Sequence, residues 1–269
     1  MSQQKKNPSN GYLIVASKTK AFYYSALNLI ESIKDYHPEA DCCLVVDEYL
    51  VDERAESVAD RTIYTELEND YRAKLWGMWK TPYSKTLYID ADMECQHEDV
   101  ANVFDELGDN DMMFTALDEN NEEAFKNRHF PAGMFELNGG VCLYDSSKPR
   151  VLSFMERWWR LYTLQKNNEW WPEDPVTGKW DEYSYGDRHD MKWWDQFTLW
   201  YLLNKEEEWN DLKVKIFEDY VRWNNYVNFK VYNIEPKNPI VFMHHSASLA
   251  KDNHHIYSEG LFEMRGKGY

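Results

Sequence analysis

In the stretch TLYIDADMECQ (residues 86–96), Asp90 and Asp92 stand one residue apart, directly after Thr86–Ile89, which reads as a buried strand. Taking an ionised carboxylate out of water is costly unless a partner compensates, and a cation is one such partner. Side chains of an extended segment alternate, so residues i and i+2 share a side. Both carboxylates can therefore face one ion, while Ala91 turns away and permits close approach. Oxygen ligands of this kind suit a hard divalent cation. With 47 acidic residues in the chain, a pair of solvated turn acids is the competing explanation.

The elements around the pair place it. GYLIVAS (11–17) reads as a first strand, and AFYYSALNLIESIKDYH (21–37) sets Phe22, Ala26, Leu29, Ile30 and Ile33 at helical spacing. CCLVV (42–46) is a second continuous apolar strand, YRAKLWGMWKTPY (71–83) a helix, and DMMFTAL (111–117) and GGVCLYD (139–145) further strands. Apolar strands alternating with helices predict an α/β fold whose mostly parallel central sheet is covered on both faces. In such sheets ligands collect at the carboxyl ends of the strands, where Asp90 and Asp92 stand.

After Pro149 the texture changes. VLSFMERWWRLYTLQ reads as a helix, and WWDQFTLWYLLN (193–204) as another. Between them lies a polar, turn-rich stretch, and eight of the twelve tryptophans fall between Trp158 and Trp200. The region 150–194 is expected to form a helical and loop insertion. NPIVFMHHSASLAKDNHH (238–255) reads as a short strand running into a polar loop. With no internal repeat, low-complexity tract or linker, one domain spanning 1–269 is expected, with residues 1–10 a flexible N-terminus.

Composition excludes some classes. The formal charge of −17 argues against nucleic acid as a partner, because duplex binding rests on clustered Lys and Arg. Cys42, Cys43, Cys95 and Cys142 sit in or beside strand-like runs without CxxC spacing, and read as reduced core thiols. YLIVA is too short for a signal peptide's apolar region or a membrane span, so a soluble, cytoplasmic protein is expected. Oligomeric state is not encoded in any motif.

Residues 74–107, KLWGMWKTPYSKTLYIDADMECQHEDVANVFDEL, resemble glycogenin-like family 8 glycosyltransferases. Lys74, Leu75, Tyr83, Ser84, Lys85, Asp90, Ala91 and Asp92 fall at that family's spacing without a gap. FELNGGVCLYDSS (135–147) is similar to its Asn-x-Gly-Val segment through Asn138, Gly140 and Val141. WWDQFTLWYLLN is similar to its Asp-Gln helix, and VFMHHSASLAK to its late His-containing loop. Together with SALNLIESIK near the start, the resemblance covers most of residues 11–251 and leaves the Trp-rich part unmatched.

The resemblance implies a GT-A, Rossmann-like nucleotide-sugar-binding fold. It further implies a metal-dependent, retaining hexosyltransferase whose donor is a nucleotide diphosphate sugar, usually a UDP-sugar. Asp90, Asp92 and a histidine would hold the metal: His244 by the pattern around it, or His245 by its distance to Lys251, the implied phosphate-binding lysine. Mixed carboxylate and imidazole ligation favours Mn²⁺ over Mg²⁺. Lys74 would reach the donor's phosphates or sugar, and Asp118, Asn138 and Gly139 would line the sugar pocket. Ala16, Ser17 and Lys18 would surround the base and ribose, with the stacking aromatic at Phe22 or Tyr23. Asp195 and Gln196 would sit nearest the anomeric carbon, although an aspartate at a helix start is also an ordinary cap.

The chain departs from the family pattern at Ala247 (usually Gly), Asp252 (often Pro), and Lys18 and Thr19 (often Thr and Asn). The paired tryptophans would form an acceptor lid, or simply pack a subdomain. The acceptor, a glycan or another hydroxyl-bearing molecule, is not encoded in any motif. The alternatives are a catalytically silent sugar-nucleotide or glycan-binding protein that kept the fold, and an inverting or nucleotidyl-transferring enzyme, which would want an acidic base at Gln196.

Overall fold

The apolar runs fold into two faces of one sheet. A computed structural model of the chain describes residues 9–65, 67, 72–117, 136–170, 195–226 and 235–245. The order is β1 (Asn10–Ala16), α1 (Lys20–Tyr36), β2 (Cys42–Val46), α2 (Glu53–Val58), β3 (Arg61–Tyr64), α3 (Ala73–Trp79), β4 (Lys85–Asp90), β5 (Met93–Cys95), β6 (Met112–Leu117) and β7 (Glu136–Asp145). There follow α4 (Pro149–Lys166), α5 (Asp195–Lys205), β8 (Val214–Ile216), α6 (Tyr220–Trp223), β9 (Asn225–Tyr226) and β10 (Phe242–His244). Asp118, Lys251, the aromatic stretch 171–194 and most of the N-terminal ten residues lie outside the described residues.

The main sheet has seven strands in the order β3-β2-β1-β4-β7-β6-β8, and β5-β10-β9 form a second, smaller sheet. All neighbours in the main sheet are parallel except at β7, which runs antiparallel to both β4 and β6. Strand alternation divides the core. Tyr12, Ile14, Leu44, Leu87, Ile89 and Val141 pack beneath α1, while Leu13, Val15, Val45, Tyr88, Phe114 and Cys142 pack beneath α3, α4 and α5. Burial on both faces explains why these strands read as unbroken apolar runs. Among the described residues no helix is long and apolar enough to cross a membrane.

Two elements differ from expectation in extent. The helix expected over 71–83 is only Ala73–Trp79, because Pro82 follows within a turn and disfavours helix in the residue before it. The strand expected over 139–145 begins earlier, at Glu136, and its start matters to the site. Phe114 pairs with Cys142 but Thr115 with Asn138, so the register slips and Gly139, Gly140 and Val141 are left out of the β6 ladder. Irregularities of this kind re-aim the backbone and concentrate next to functional sites.

Helix α3 lies close on the sheet through Gly77. A Cβ there would stand 2.7 Å from Val15 Cγ2. Gly77→Ala is expected to destabilise the protein by about 1–3 kcal/mol, the cost of overpacking, against the roughly 1 kcal/mol that Ala favours a helix over Gly. Urea denaturation checks this, and an unchanged or higher midpoint would contradict the close approach.

Candidate active site

Asp90 ends β4 on the face that carries Tyr88, and the Tyr88 hydroxyl donates to Asp90 Oδ1. The antiparallel register of β4 and β7 sets Val141 opposite Ile89. Gly140 thus comes beside Asp90, and a Cβ on Gly140 would lie 3.1 Å from Asp90 Oδ2 and 2.8 Å from Asn138 Oδ1. A side chain there would press on both carboxamide and carboxylate.

The chain turns at Ala91 and Asp92 and enters β5, which pairs antiparallel with β10, His244 lying opposite Met93. That pairing brings His244 Nε2 to 3.2 Å from Asp92 Oδ1. Asp90, Asp92 and His244 each offer a ligand atom, all within 4.8 Å of one another. His245 turns to Glu94, at 3.3 Å, and donates its backbone N–H to Asp92 O at 2.8 Å. Of the two histidines it is therefore His244 that joins the acids. Burial alone would raise the Asp92 carboxyl, yet His244 beside it holds it below the usual range. Burial likewise works against charge on His244, and Asp92 overcomes this and raises it. Two carboxylates and an imidazole, converging beside a glycine, fit a divalent cation.

Lys74 lies between Asp90 and Asp195. Its ammonium is buried and lies 3.3 Å from Asp90 Oδ1, 3.1 Å from Asp195 Oδ2 and 3.2 Å from the carbonyl of Gly139. It donates hydrogen bonds to Asp90 Oδ1 and the Gly139 carbonyl, and Asp195 adds an ion pair. A buried ammonium requires anionic partners, and Asp90 and Asp195 supply them. The slipped register of β7 frees the Gly139 carbonyl for this bond, and a Cβ on Gly139 would press to 3.0 Å from Asp195 Oδ2.

Asp195 opens α5 and is fully buried. Arg72 Nε lies 3.0 Å from its Oδ1. Burial pushes this carboxyl up, but Arg72 and Lys74 hold it below the usual carboxylate range. Its backbone carbonyl accepts from Trp158 Nε1 at 3.0 Å and Thr198 Oγ1 at 2.9 Å. A side chain held by two cations does more than cap a helix. Gln196 follows it, half-buried.

Around β1, Ala16 and Ser17 are buried, and Lys18 takes a left-handed φ of 74° while its N–H donates to Asp47 Oδ2 at 2.8 Å. A left-handed non-glycine residue costs of order 1–3 kcal/mol and is held by its surroundings. Tyr23 corrects an expectation: its ring is buried in the core and its hydroxyl donates to Asp52 Oδ1 at 2.7 Å. A base cannot stack on it there, whereas Phe22 is half-buried.

Sequence reasoning missed Arg72, Tyr88, Asn224 and Tyr226. Tyr88 was within reach, since it shares a strand face with Asp90. Asn224 and Tyr226 carry no motif. Asn138 Nδ2 donates to Tyr226 OH at 3.1 Å, and the Tyr226 ring stacks on His244 with centroids 4.2 Å apart.

No protein-family model matches the chain, and no curated protein sequence does. Solved structures do match it. The glycosyltransferase GlyE of Streptococcus pneumoniae TIGR4 aligns over 88% of this chain at 14% identity with a TM-score of 0.53; the chain spans 55% of that structure. Mouse xyloside xylosyltransferase 1, in its apo form, aligns over 90% of this chain and 99% of its own at 10% identity, with a TM-score of 0.51. The galactosyltransferase LgtC, solved with donor and acceptor sugar analogues, covers 87% of this chain and 86% of its own at 17% identity and a TM-score of 0.49. The matches to GlyE and to xyloside xylosyltransferase 1, both above a TM-score of 0.5, give the chain a GT-A-like glycosyltransferase fold.

Proposed function

We propose that this chain is a metal-dependent, retaining glycosyltransferase acting as a single domain over residues 1–269. It moves a hexose from a nucleotide diphosphate sugar, a UDP-sugar by the resemblance at residues 74–107, to a glycan or another hydroxyl-bearing acceptor. The observation that carries the reading is the meeting of Asp90, Asp92 and His244 at the carboxyl end of β4, beside the Lys74–Asp195 pair.

Asp90, Asp92 and His244 would hold the divalent ion, Mn²⁺ before Mg²⁺ for this donor set, and when bound it neutralises charge on the departing diphosphate. Asp195, kept ionised by Arg72 and Lys74, sets a fixed negative charge beside Gln196, suited to a sugar that gains positive charge at its anomeric carbon. An amide is a poor nucleophile. Attack therefore comes from the face the diphosphate leaves, the acceptor's proton passing to a diphosphate oxygen. Lys74, the counter-charge between Asp90 and Asp195, also reaches the donor's phosphates or sugar. Asn138 and Gly139, with Asp118, line the sugar pocket. Ala16, Ser17 and Lys18 contact the nucleoside, and Lys251 the phosphates.

A panel of nucleotide sugars with Mn²⁺, read as donor hydrolysis and melting temperature, tests this. At ligand about 100-fold above Kd the native state gains about 2.7 kcal/mol, a rise of roughly 5–10 °C at this chain length. No shift with any donor, with or without Mn²⁺, would refute donor binding. Binding without turnover across donors and acceptors would favour the silent binding protein.

A further inference from the structure

One unambiguous donor orders a chain of side-chain amides behind His244. The backbone N–H of Gly140 donates to the side chain of Asn138 at 2.7 Å. A backbone N–H can only donate, so the atom it meets is Asn138 Oδ1. That oxygen also lies 3.0 Å from the side chain of Asn224, which must present Nδ2 to it. The same Nδ2 reaches Thr115 Oγ1 at 3.2 Å, a hydroxyl whose own hydrogen is directed at the Asn138 carbonyl, 3.5 Å away. Asn224 therefore turns Oδ1 to His244 Nδ1, at 2.8 Å. An amide oxygen only accepts, so Nδ1 carries hydrogen. The nitrogen facing Asp92 is Nε2, and in the neutral ring it holds the lone pair.

We propose that Asn224 is a positioning residue of the centre: it fixes the Nδ1–H form of His244, presents Nε2 to the position between Asp90 and Asp92, and ties that histidine to Asn138. The assignment rests on the reading of Asp90, Asp92 and His244 as a cation site. Asn224 is fully buried, and Tyr226 stacked on the imidazole leaves the ring little freedom to turn. Partners of this kind behind a metal-binding histidine set its tautomer and orientation.

The test is Mn²⁺ binding followed by electron paramagnetic resonance in wild type, Asn224→Leu and Asn224→Asp. Leu removes the acceptor and is expected to weaken Mn²⁺ binding by about 10–100-fold. Asp keeps the acceptor for His244 Nδ1–H but gives up the donor to Asn138 Oδ1 and Thr115 Oγ1, and is expected to lose less affinity than Leu. Wild-type affinity in Asn224→Leu, or an equal loss in both variants, would overturn the proposal. Should the Leu variant fail to fold, ¹⁵N-histidine spectra of the wild-type protein decide. The proposal requires neutral His244, identified by the signal missing in His244→Asn, to be in the Nδ1–H form, and the Nε2–H form would overturn it. If wild type binds no Mn²⁺, with or without UDP, the cation-site reading fails, while the tautomer measurement still judges the Asn224 contact.

Discussion

Asp92→Asn is expected to lose Mn²⁺ binding and to transfer sugar about 10²–10³-fold more slowly at saturating donor, the scale of removing one group that stabilises transition-state charge. The substitution keeps size and shape but removes the charge. It leaves His244 facing an amide in place of the carboxylate now 3.2 Å away. Mn²⁺ titration and initial rates measure the two effects separately. Both should fall together, because one carboxylate serves both. A variant with full transfer activity would sink the role of Asp92 in holding metal.

Asp195→Asn is expected to cost stability as well as rate. It removes the charge that compensates Arg72 and Lys74, and breaking a buried ion pair by deleting one partner costs about 3–5 kcal/mol. Arg72 keeps a third of its side chain in solvent (32%) and can relax, so the lower end, about 3 kcal/mol, is expected. At roughly 2–4 °C per kcal/mol this lowers the melting temperature by about 6–12 °C. The sign with pH follows from Asp195 itself, whose carboxyl is held below its ordinary value of 3.8. A depressed carboxyl contributes stability above the unfolded value and loses it as pH falls through the folded one. The gap between wild type and variant is therefore full at neutral pH and closes as the solution is acidified below 3.8. Coincident melting curves at neutral pH would show that the two cations do not need this partner.

Elements with a continuous apolar run and a clear period, such as β1, α1, β2 and α4, were legible because burial on one or both faces writes itself into residue type. β8 and β9, three residues or fewer, are too short to carry a period, and β3 is a half-exposed edge strand, whereas the apolar run before His244 showed β10 as a short strand. At the site, Asp90 and Asp92 were legible because their spacing is local. The inward turn of Lys74 was not, since it depends on Asp195, 121 positions away (195 − 74), and on a carbonyl released by slipped pairing in β7. Arg72 and Asn224 act through partners that no neighbouring residue announces. Tyr23 shares the buried face of α1 with Ala26, Leu27, Ile30 and Ile33, a position that the sequence reading assigns to the neighbouring Phe22.

The fork at Ala91 and Asp92, where the chain leaves the seven-stranded sheet for the three-stranded one, divides the centre between two sheets. Asp90 stands on the large sheet, His244 on the small one, and Asp92 at the turn between them. The small sheet has very short strands but is seated in the core, where Met93, Cys95 and Phe242 are buried. An ion held by all three residues would therefore tie the two sheets together. Apparent affinity for it scales with the fraction of molecules in which both sheets are in place. Substitutions in β5, β9 or β10 can therefore weaken the centre from outside the strand that carries Asp90.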